Sequence, residues 1–411
     1  MKQGLPQDPM MRQLVEMARS KMISRRVALM GIGGSAAAVT LASCAPASDS
    51  ALTPAQDLSD SEKVLVWHNW SFYMDGEDDG SYPTLNRFMQ QSGITVEYMM
   101  EIDDNDTWYA KVKDQLALGT DPGFDVGCPT SWLADRMIGL GYLQTMDNAN
   151  MPNKVANLAP AYLGNANDPE RLLSVPYQGI LGGIAYDKAA YKEATGKDAP
   201  TSISDLWAPE LKGRVGLISE MRDTVGLVLL NQGIDISSDS SLTEDAFNSA
   251  VDFIQEQINA GQVFNIKGQS YAEDMVNGNI IAATAWSGDV TIMNFEVGED
   301  RFGFVVPDTG ATISADVFVI PMGSQHKKNA EALINYYYDP VNAAELAAYV
   351  NYVTPVVGAR EEMLNIDPEL AENELIFPSD AFLANTFAFR ALTGQEEQRF
   401  AAAWQNVLLG A

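Results

Sequence analysis

The sequence contains very few of the residues on which nucleophilic and zinc chemistry depends. Its 411 residues include only two cysteines and two histidines, and no spacing between them fits a zinc site. The second histidine, His326, lies in a polar stretch typical of a surface loop, so a catalytic pair between a histidine and Cys128 is not expected. Cys128 is better explained as a small buried residue. We therefore predict no catalytic residue, no metal site and no cofactor.

Basic residues are also scarce. The chain has 26 Lys and Arg against 55 Asp and Glu, which gives a formal net charge of −29. This charge argues against binding to nucleic acid, which requires basic surfaces, and against attraction to anionic lipid. Cations are the favoured partners. An acidic surface can equally serve solubility, and net charge does not locate a binding site.

No hydrophobic run is long enough to predict a permanent membrane span. Residues 28–42 are apolar and rich in small side chains, but the run is too short. It follows Arg25 and Arg26, as in a twin-arginine export signal, and it ends in a lipobox-like Leu-Ala-Ser before Cys44. We predict an export signal at 1–43, lipidation of Cys44 and a flexible tether at 44–61. Cys128 would then be the sole unmodified thiol, which excludes an internal disulfide.

Alternating strand and helix patterns predict an α/β fold with two domains. Residues 63–73 begin as a buried parallel strand and end in an aromatic and hydroxyl cluster. Two separate strands are expected at 172–177 and 183–186, and a later strand at 316–320 is expected to open with Asp316. The last helix is expected to dock through one apolar face.

Candidate binding residues follow strand ends or begin helices, where ligands of α/β sheets are usually held. Carboxylates can accept hydrogen bonds from ammonium groups, while aromatic faces cover methylenes and attract cations, so the set suits an organic polyamine. Simpler explanations stay open: packing for the aromatics, helix capping for Thr130, and the helix dipole for the acids at 220 and 223. The candidates are Trp70, Ser71, Tyr73, Thr130, Trp132, Glu220, Asp223, Trp286 and Asp316.

Several motifs give the chain a strong resemblance to the spermidine/putrescine-binding proteins of ABC importers. They include Asn-Trp-Ser-Phe-Tyr at 69–73, Phe-Asp-Val-Gly-Cys-Pro-Thr-Ser-Trp at 124–132 and Asn-Tyr-Val-Thr-Pro at 351–355. The resemblance covers nearly all of residues 62–411. It implies an α/β, two-lobed periplasmic-binding-protein-like fold with a hinged inter-lobe cleft.

The resemblance carries over to every candidate residue and adds Tyr352 as a rim tyrosine. At position 132 the family often has tyrosine where this chain has tryptophan. Two other positions depart from the family: Ser314 replaces an aromatic residue, and Gly179 stands where tryptophan often follows a Pro-Tyr pair. Both departures suggest a wider cleft and leave the choice of amine open. Arg222, between the two acids, is expected to face away from them.

The resemblance also predicts two lobes, a polyamine ligand and a permease, while the patterns at Arg25-Arg26 and Cys44 predict the location and the lipid anchor. Lobe 1 is expected at 62–178 plus about 316–355, and lobe 2 at 179–315 plus about 356–411. The partners are a small cationic ligand (a polyamine), the membrane subunits of an ABC permease and the membrane itself through the lipid anchor, with no nucleic acid and a monomeric state. The protein would be exported and anchored on the outer face of the cytoplasmic membrane. Two rivals remain: the same fold binding a sugar, amino acid or compatible solute, and an exported carboxylate-based hydrolase.

Overall fold

The computed structural model describes residues 51–76 and 80–410. The predicted export signal and Cys44 lie outside these residues, as does the first part of the predicted tether. In the part of the chain that is described, no helix has the length and apolar character needed to cross a membrane.

The smaller of two β-sheets contains three parallel strands in the order β2-β1-β3. A helix follows each strand, and glycines at positive φ end the first two helices, Gly93 at 71° and Gly119 at 64°. This confirms the alternation of strands and helices predicted from the sequence. The elements are β1 (Val64–Trp70), α1 (Pro83–Ser92), β2 (Thr95–Ile102), α2 (Asn105–Leu118), β3 (Val126–Gly127) and α3 (Ser131–Gly139).

The larger sheet has seven strands in the order β10-β9-β4-β7-β5-β6, with β8 also paired to β4. Strand β4 is its centre and is buried along its whole length. The strands are β4 (Val175–Asp187), β5 (Val215–Ile218), β6 (Val263–Lys267), β7 (Ala282–Trp286), β8 (Phe302–Val305), β9 (Ala311–Phe318) and β10 (Thr386–Phe387).

The prediction of two strands at 172–177 and 183–186 was wrong, because β4 is one continuous strand of 13 residues. Its glycines resemble a break in the sequence, but they allow close packing. A Cβ on Gly182 would collide with the Thr312 hydroxyl, and one on Gly183 with the Phe304 ring. The glycines therefore admit neighbouring side chains to the middle of the sheet.

The remaining helices cover the sheets and connect their strands. They are α4 (Pro152–Asn157), α5 (Lys188–Thr195), α6 (Met221–Asn231), α7 (Glu244–Asn259), α8 (Tyr271–Val276), α9 (Ser287–Val297), α10 (Lys327–Tyr337), α11 (Pro340–Val350), α12 (Ala359–Ile366), α13 (Pro368–Ala371), α14 (Asp380–Leu383) and α15 (Gly394–Gly410).

The last helix, α15, docks as expected. Phe400, Trp404 and Val407 are buried, and the Phe400 ring stacks on Phe247 of α7 at a centroid distance of 3.9 Å. The Trp404 indole N–H donates to the Ser219 carbonyl at 2.6 Å. This bond connects the C-terminal helix to the residue directly before Glu220.

The described part of the predicted tether, residues 51–61, carries no helix or strand. It nevertheless contacts the folded body. The N–H groups of Ala55 and Leu58 donate to the carbonyls of Met322 and Gln325 at 2.8 and 2.7 Å. The Ser59 hydroxyl accepts a bond from the Asn329 N–H at 3.2 Å.

Candidate functional site

A pocket of about 140 Å³ lies where the ends of strands from both sheets meet. This volume is close to the roughly 150 Å³ of an engineered cavity that holds benzene, so a small organic molecule fits. The pocket wall includes every candidate residue except Ser71, which is half-buried in the turn after β1. The candidates in the wall are Trp70, Tyr73, Thr130, Trp132, Glu220, Asp223, Trp286, Asp316 and Tyr352.

Asp316 lies inside β9, opposite Gln178 of β4. The prediction that it opens a strand was wrong, because β9 begins five residues earlier at Ala311. Its side chain is buried, and Oδ1 accepts a hydrogen bond from the Thr130 hydroxyl at 2.7 Å. Burial raises the pKa of Asp316 to about 7, although the bond from Thr130 opposes this shift. A cation placed in the pocket would favour its ionised form.

Thr130 immediately precedes α3, but its hydroxyl makes no capping bond to that helix. The hydroxyl donates to Asp316 and accepts a bond from the Asn105 amide at 2.8 Å. The Asn105 carbonyl oxygen in turn accepts from the Thr130 N–H at 3.0 Å. The capping explanation for Thr130 is therefore not supported, since its side chain positions an acid.

Asp223 lies in the first turn of α6, and two donors hold its carboxylate. The Trp286 indole N–H donates to Oδ2 at 2.9 Å, and the Thr312 hydroxyl donates to Oδ1 at 2.8 Å. Burial raises the pKa of Asp223 in spite of these two bonds, which lower it. Thr312 belongs to β9 and was not among the predicted residues.

Glu220 directly precedes α6 and is buried. Its Oε1 accepts two hydrogen bonds from Asn105, one from the backbone N–H at 2.9 Å and one from the side-chain amide at 2.8 Å. Burial is the main reason that the pKa of Glu220 is raised well above its usual range, and the charge of Asp104 adds to the effect. Asn105 thus connects Glu220 to Thr130.

Aromatic side chains line the same pocket as these acids. The rings of Trp70 and Trp286 meet edge to face at 5.8 Å, and the Trp70 indole N–H donates to the Cys128 carbonyl at 2.8 Å. The Tyr73 ring meets Tyr352 edge to face at 5.0 Å. The Tyr73 hydroxyl is buried and interacts with the Asp316 carboxylate. Burial, followed by the charge of Asp316, raises its pKa well above the usual range, so it stays a neutral donor.

Sequence reasoning missed a fourth buried acid behind this wall. Asp289 of α9 accepts hydrogen bonds from the hydroxyls of Tyr352 and Tyr271, both at 2.9 Å, and from the Gln269 amide at 3.2 Å. Burial raises the pKa of Asp289 to about 6. A carboxylate three residues after Trp286 was the available signal, but its partners come from distant parts of the chain.

Arg222 also lies in the pocket wall. The prediction that it faces away from Glu220 and Asp223 was wrong, because all three line the pocket and the charge of Arg222 opposes the rise in the pKa of Asp223. Its ion pair is with Glu397 of α15, at 2.6 Å from Nη2. Its guanidinium lies 4.2 Å from the centre of the Trp132 ring and 5.7 Å from that of Phe389. Sequence reasoning did not predict Phe389, which reaches the pocket from the segment after β10.

The two departures from the family pattern have different structural outcomes. Ser314 lies in the pocket wall. Gly179 does not, and the Tyr162 hydroxyl occupies the space that a Cβ on Gly179 would need. The absence of a side chain at Gly179 therefore does not widen this pocket.

Within residues 51–76 and 80–410, no group of three or more Cys, His, Asp or Glu side chains is arranged to hold a metal ion. Cys128 is buried and accepts a hydrogen bond from the Trp67 indole N–H at 3.3 Å. Burial raises the pKa of this thiol well above its usual range, which disfavours the reactive thiolate.

Comparison with known proteins places the chain in a family. The family model described as bacterial extracellular solute-binding protein matches residues 84–378. The chain belongs to this family. Two relatives are the spermidine/putrescine-binding periplasmic protein 1 of Haemophilus influenzae and the putrescine-binding periplasmic protein PotF of Escherichia coli. The first is 26% identical over 86% of this chain and 91% of its own length, and the second is 27% identical over 86% and 93%. Both are named as periplasmic binding proteins.

Solved structures establish the fold of this binding protein. A putative spermidine/putrescine ABC transporter protein from Listeria monocytogenes superposes with a TM-score of 0.71 at 24% identity, over 85% of this chain and all of that one. The Tp0655 lipoprotein of Treponema pallidum superposes with a TM-score of 0.68 at 20% identity, over 84% and 99%. The predicted α/β, two-lobed periplasmic-binding-protein-like fold is confirmed.

Proposed function

We propose that this chain is the solute-binding component of an ABC uptake system, that it captures polyamines of the spermidine and putrescine class, and that it delivers them to a permease. The observation that carries the proposal is the meeting of Glu220, Asp223 and Asp316 in one pocket. These three acids come from the start of α6 and from β9, and the indoles of Trp70 and Trp286 line the same pocket. The names of the relatives support the same ligand class.

Electrostatics supports a cationic ligand. Burial raises the pKa of all three acids, so each ionises at a cost in the ligand-free protein. An alkylammonium supplies hydrogen-bond donors and the opposite charge. Two or three charge-assisted bonds at about 1.5–3 kcal/mol each and a cation–π contact of about 0.5–2 kcal/mol sum to about 3.5–11 kcal/mol before entropy losses. This range includes the roughly 8 kcal/mol that micromolar affinity needs.

A thermal-shift panel on the purified chain tests the ligand class. We expect putrescine or spermidine to raise the melting temperature, because a ligand that binds only the folded state stabilises it. Spermine, maltose, glycine betaine and arginine complete the panel and cover the rival solutes. Stabilisation by a rival with no response to any amine would contradict polyamine binding.

The proposal is one of binding and not of catalysis. The pocket acids are held by fixed donors such as Trp286 and Thr312, which suits a stable complex. Incubation with chromogenic glycosides should release no chromophore above a D316N control. Turnover that depends on Asp316 would support the hydrolase instead.

We propose in addition that the mature protein is a lipid-anchored monomer. The support for the anchor is the pattern of Arg25, Arg26 and Cys44 in the sequence. Labelled palmitate should be incorporated into the wild-type chain and not into Cys44→Ala, and its absence from the wild type would contradict lipidation. Light scattering of a chain that begins after residue 44 should give the mass of one copy.

The lobe boundaries remain those proposed from the sequence: 62–178 with about 316–355, and 179–315 with about 356–411. One observation supports the second lobe. A hydrophobic cluster that includes Val215, Leu217, Phe247 and Trp404 draws its fully buried residues from 184–282 and 400–407. Small-angle scattering with and without putrescine should show a smaller radius of gyration with the ligand if the lobes close on it.

A further inference from the structure

A short acidic segment connects the two proposed lobes beside the pocket. Residues 103–105 lie between the end of β2 and the first turn of α2, in the proposed lobe 1. They bond residues 219–220 after β5 and residues 268–270 after β6, which belong to the proposed lobe 2. Residues 103–105 are not part of the pocket wall, so a ligand in the pocket is not their direct partner.

The first part of this contact is a close approach of two backbones. The Asp103 carbonyl accepts a hydrogen bond from the Gln269 N–H at 3.2 Å, and its carboxylate accepts one from the Ser270 N–H at 3.2 Å. Gly268 makes the approach possible, because a Cβ at this position would collide with the Asp103 carbonyl oxygen. Any other residue at 268 would keep the two segments apart.

Side chains form the second part. The Ser219 hydroxyl donates to Asp104 Oδ2 at 2.6 Å. The backbone N–H and the side-chain amide of Asn105 both donate to Oε1 of Glu220. With the two bonds of Asp103, five hydrogen bonds connect the proposed lobes at this segment.

The same contact links acids that line the pocket. Asn105 bonds Glu220 directly and, through the Thr130 hydroxyl, is connected to Asp316. The contact also brings like charges together, since the charge of Asp104, after burial, raises the pKa of Glu220. The hydrogen bonds favour the closed arrangement and this repulsion opposes it, whereas an ammonium near the acids would offset the repulsion. A bound amine would therefore shift the equilibrium towards closed lobes.

We propose that residues 103–105 form a latch that holds the lobes closed on a bound amine, and that Asn105 is a positioning residue that presents Glu220 and Asp316 to the same ligand. This inference rests on the proposed function and on the proposed lobes, and it deepens both. The latch must open before the ligand leaves, so it sets the rate of release.

Gly268→Ala tests the latch without changing the pocket wall, which does not include Gly268. The added methyl group blocks the approach of Asp103. We expect putrescine and spermidine to bind about 30-fold more weakly, as for the loss of two ordinary hydrogen bonds, mainly through faster dissociation. Calorimetry and stopped-flow measurements give the affinity and the rate. Small-angle scattering should show that the amine no longer reduces the radius of gyration.

The bond between Ser219 and Asp104 provides a second, milder test. Ser219→Ala removes the hydroxyl and should weaken amine binding by about fivefold, as for one ordinary hydrogen bond. Ser219→Thr keeps a hydroxyl and should restore most of the affinity. A purely structural role of this region would change the stability of the fold without this dependence of ligand release on the hydroxyl.

Gly139→Ala is the matched control, because a Cβ there meets nothing within 4 Å and Gly139 is not part of the pocket wall. It should leave affinity and compaction unchanged. A Gly268→Ala protein that is folded by circular dichroism and binds both amines as tightly as the wild type overturns the latch while polyamine binding stands. If Gly268→Ala does not fold, Ser219→Ala decides, and an unchanged affinity there overturns the latch. If the folded wild type binds no amine, the proposed function itself fails.

Discussion

Asp316 is the buried acid whose charge depends most directly on what occupies the pocket. With a pKa of about 7, it is only partly ionised near neutral pH in the ligand-free protein. Asp316→Asn keeps the shape of the side chain and removes the charge. We expect the affinity for putrescine to fall by about 10- to 100-fold, because one charge-assisted hydrogen bond contributes about 1.5–3 kcal/mol. Calorimetry at pH 7.5 measures this change.

The control for this prediction is Asp235→Asn. Asp235 is exposed and its carboxylate accepts hydrogen bonds from the nearby Ser237, so its substitution should leave the affinity unchanged. A D316N protein that binds as tightly as the wild type would remove Asp316 from the site.

Thr130 offers a second test on a single residue of the pocket. Thr130→Val keeps the shape of the side chain but removes the hydroxyl that bonds Asp316. We expect a loss of about 1–3 kcal/mol in the free energy of unfolding, because a buried polar group loses its partner. Thr130→Ser should lose much less, and urea denaturation measures both variants. In a D316N background the cost of T130V should change, and strict additivity of the two substitutions would show that the residues are not coupled.

Half of the 18 residues in the pocket wall could be predicted from the sequence, because an aromatic or acidic residue directly after an apolar strand is visible there. Asp289 and Arg222 were not assigned to the site for a different reason. Their roles depend on partners such as Tyr352 and Glu397, which are 63 and 175 positions away in the chain. Periodicity carries no information about such distant contacts.

At the scale of elements, α15 holds the start of α6 in place. The Trp404 indole is buried and bonds the Ser219 carbonyl. Trp404→Ala should cost about 3–5 kcal/mol of unfolding free energy. Trp404→Phe, which keeps most of the apolar surface and loses the N–H, should cost about 1 kcal/mol. Urea denaturation compares the two, and a cost below about 1 kcal/mol for the alanine variant would contradict tight docking of the helix.

The last helix was predicted correctly, since burial of its apolar face, with Phe400, Trp404 and Val407, sets its position. Strands were harder. The glycines of β4 suggest a break, yet the sheet needs them for close approach of Thr312 and Phe304. The edge strands β6 and β10 were not predicted, because β6 is only partly buried and β10 has two residues. Such short or exposed segments are strands because they pair with a neighbouring strand, and the local sequence does not reveal that pairing.

For the whole molecule, the raised pKa values predict how stability depends on pH. Burial raises the pKa of Asp316 to about 7 and that of Asp289 to about 6, whereas an unfolded aspartate titrates near about 4. The folded chain therefore binds more protons than the unfolded chain between about pH 4 and pH 7. The contribution of these two groups to the free energy of unfolding therefore falls as pH rises through this window.

Thermal melts of the ligand-free protein between pH 5 and pH 7.5 check this direction. The melting temperature should fall less between these two pH values in D316N, which lacks one of the titrating groups. Amine affinity should change in the opposite sense and be roughly tenfold tighter at pH 7.5 than at pH 5.5, because an ammonium group favours the ionised carboxylate. Equal pH slopes for the wild type and D316N would contradict the assignment to Asp316.

The position of Cys128 has a practical consequence. Its sulfur lies against Trp67 in the interior, and its thiol strongly prefers to keep its proton. In a Cys44→Ala chain, an Ellman-type reagent can therefore react only when the interior opens. The rate of colour formation would then measure how often the interior opens. A lower rate in the presence of an amine would show that the bound ligand protects the protein from opening, without any added label.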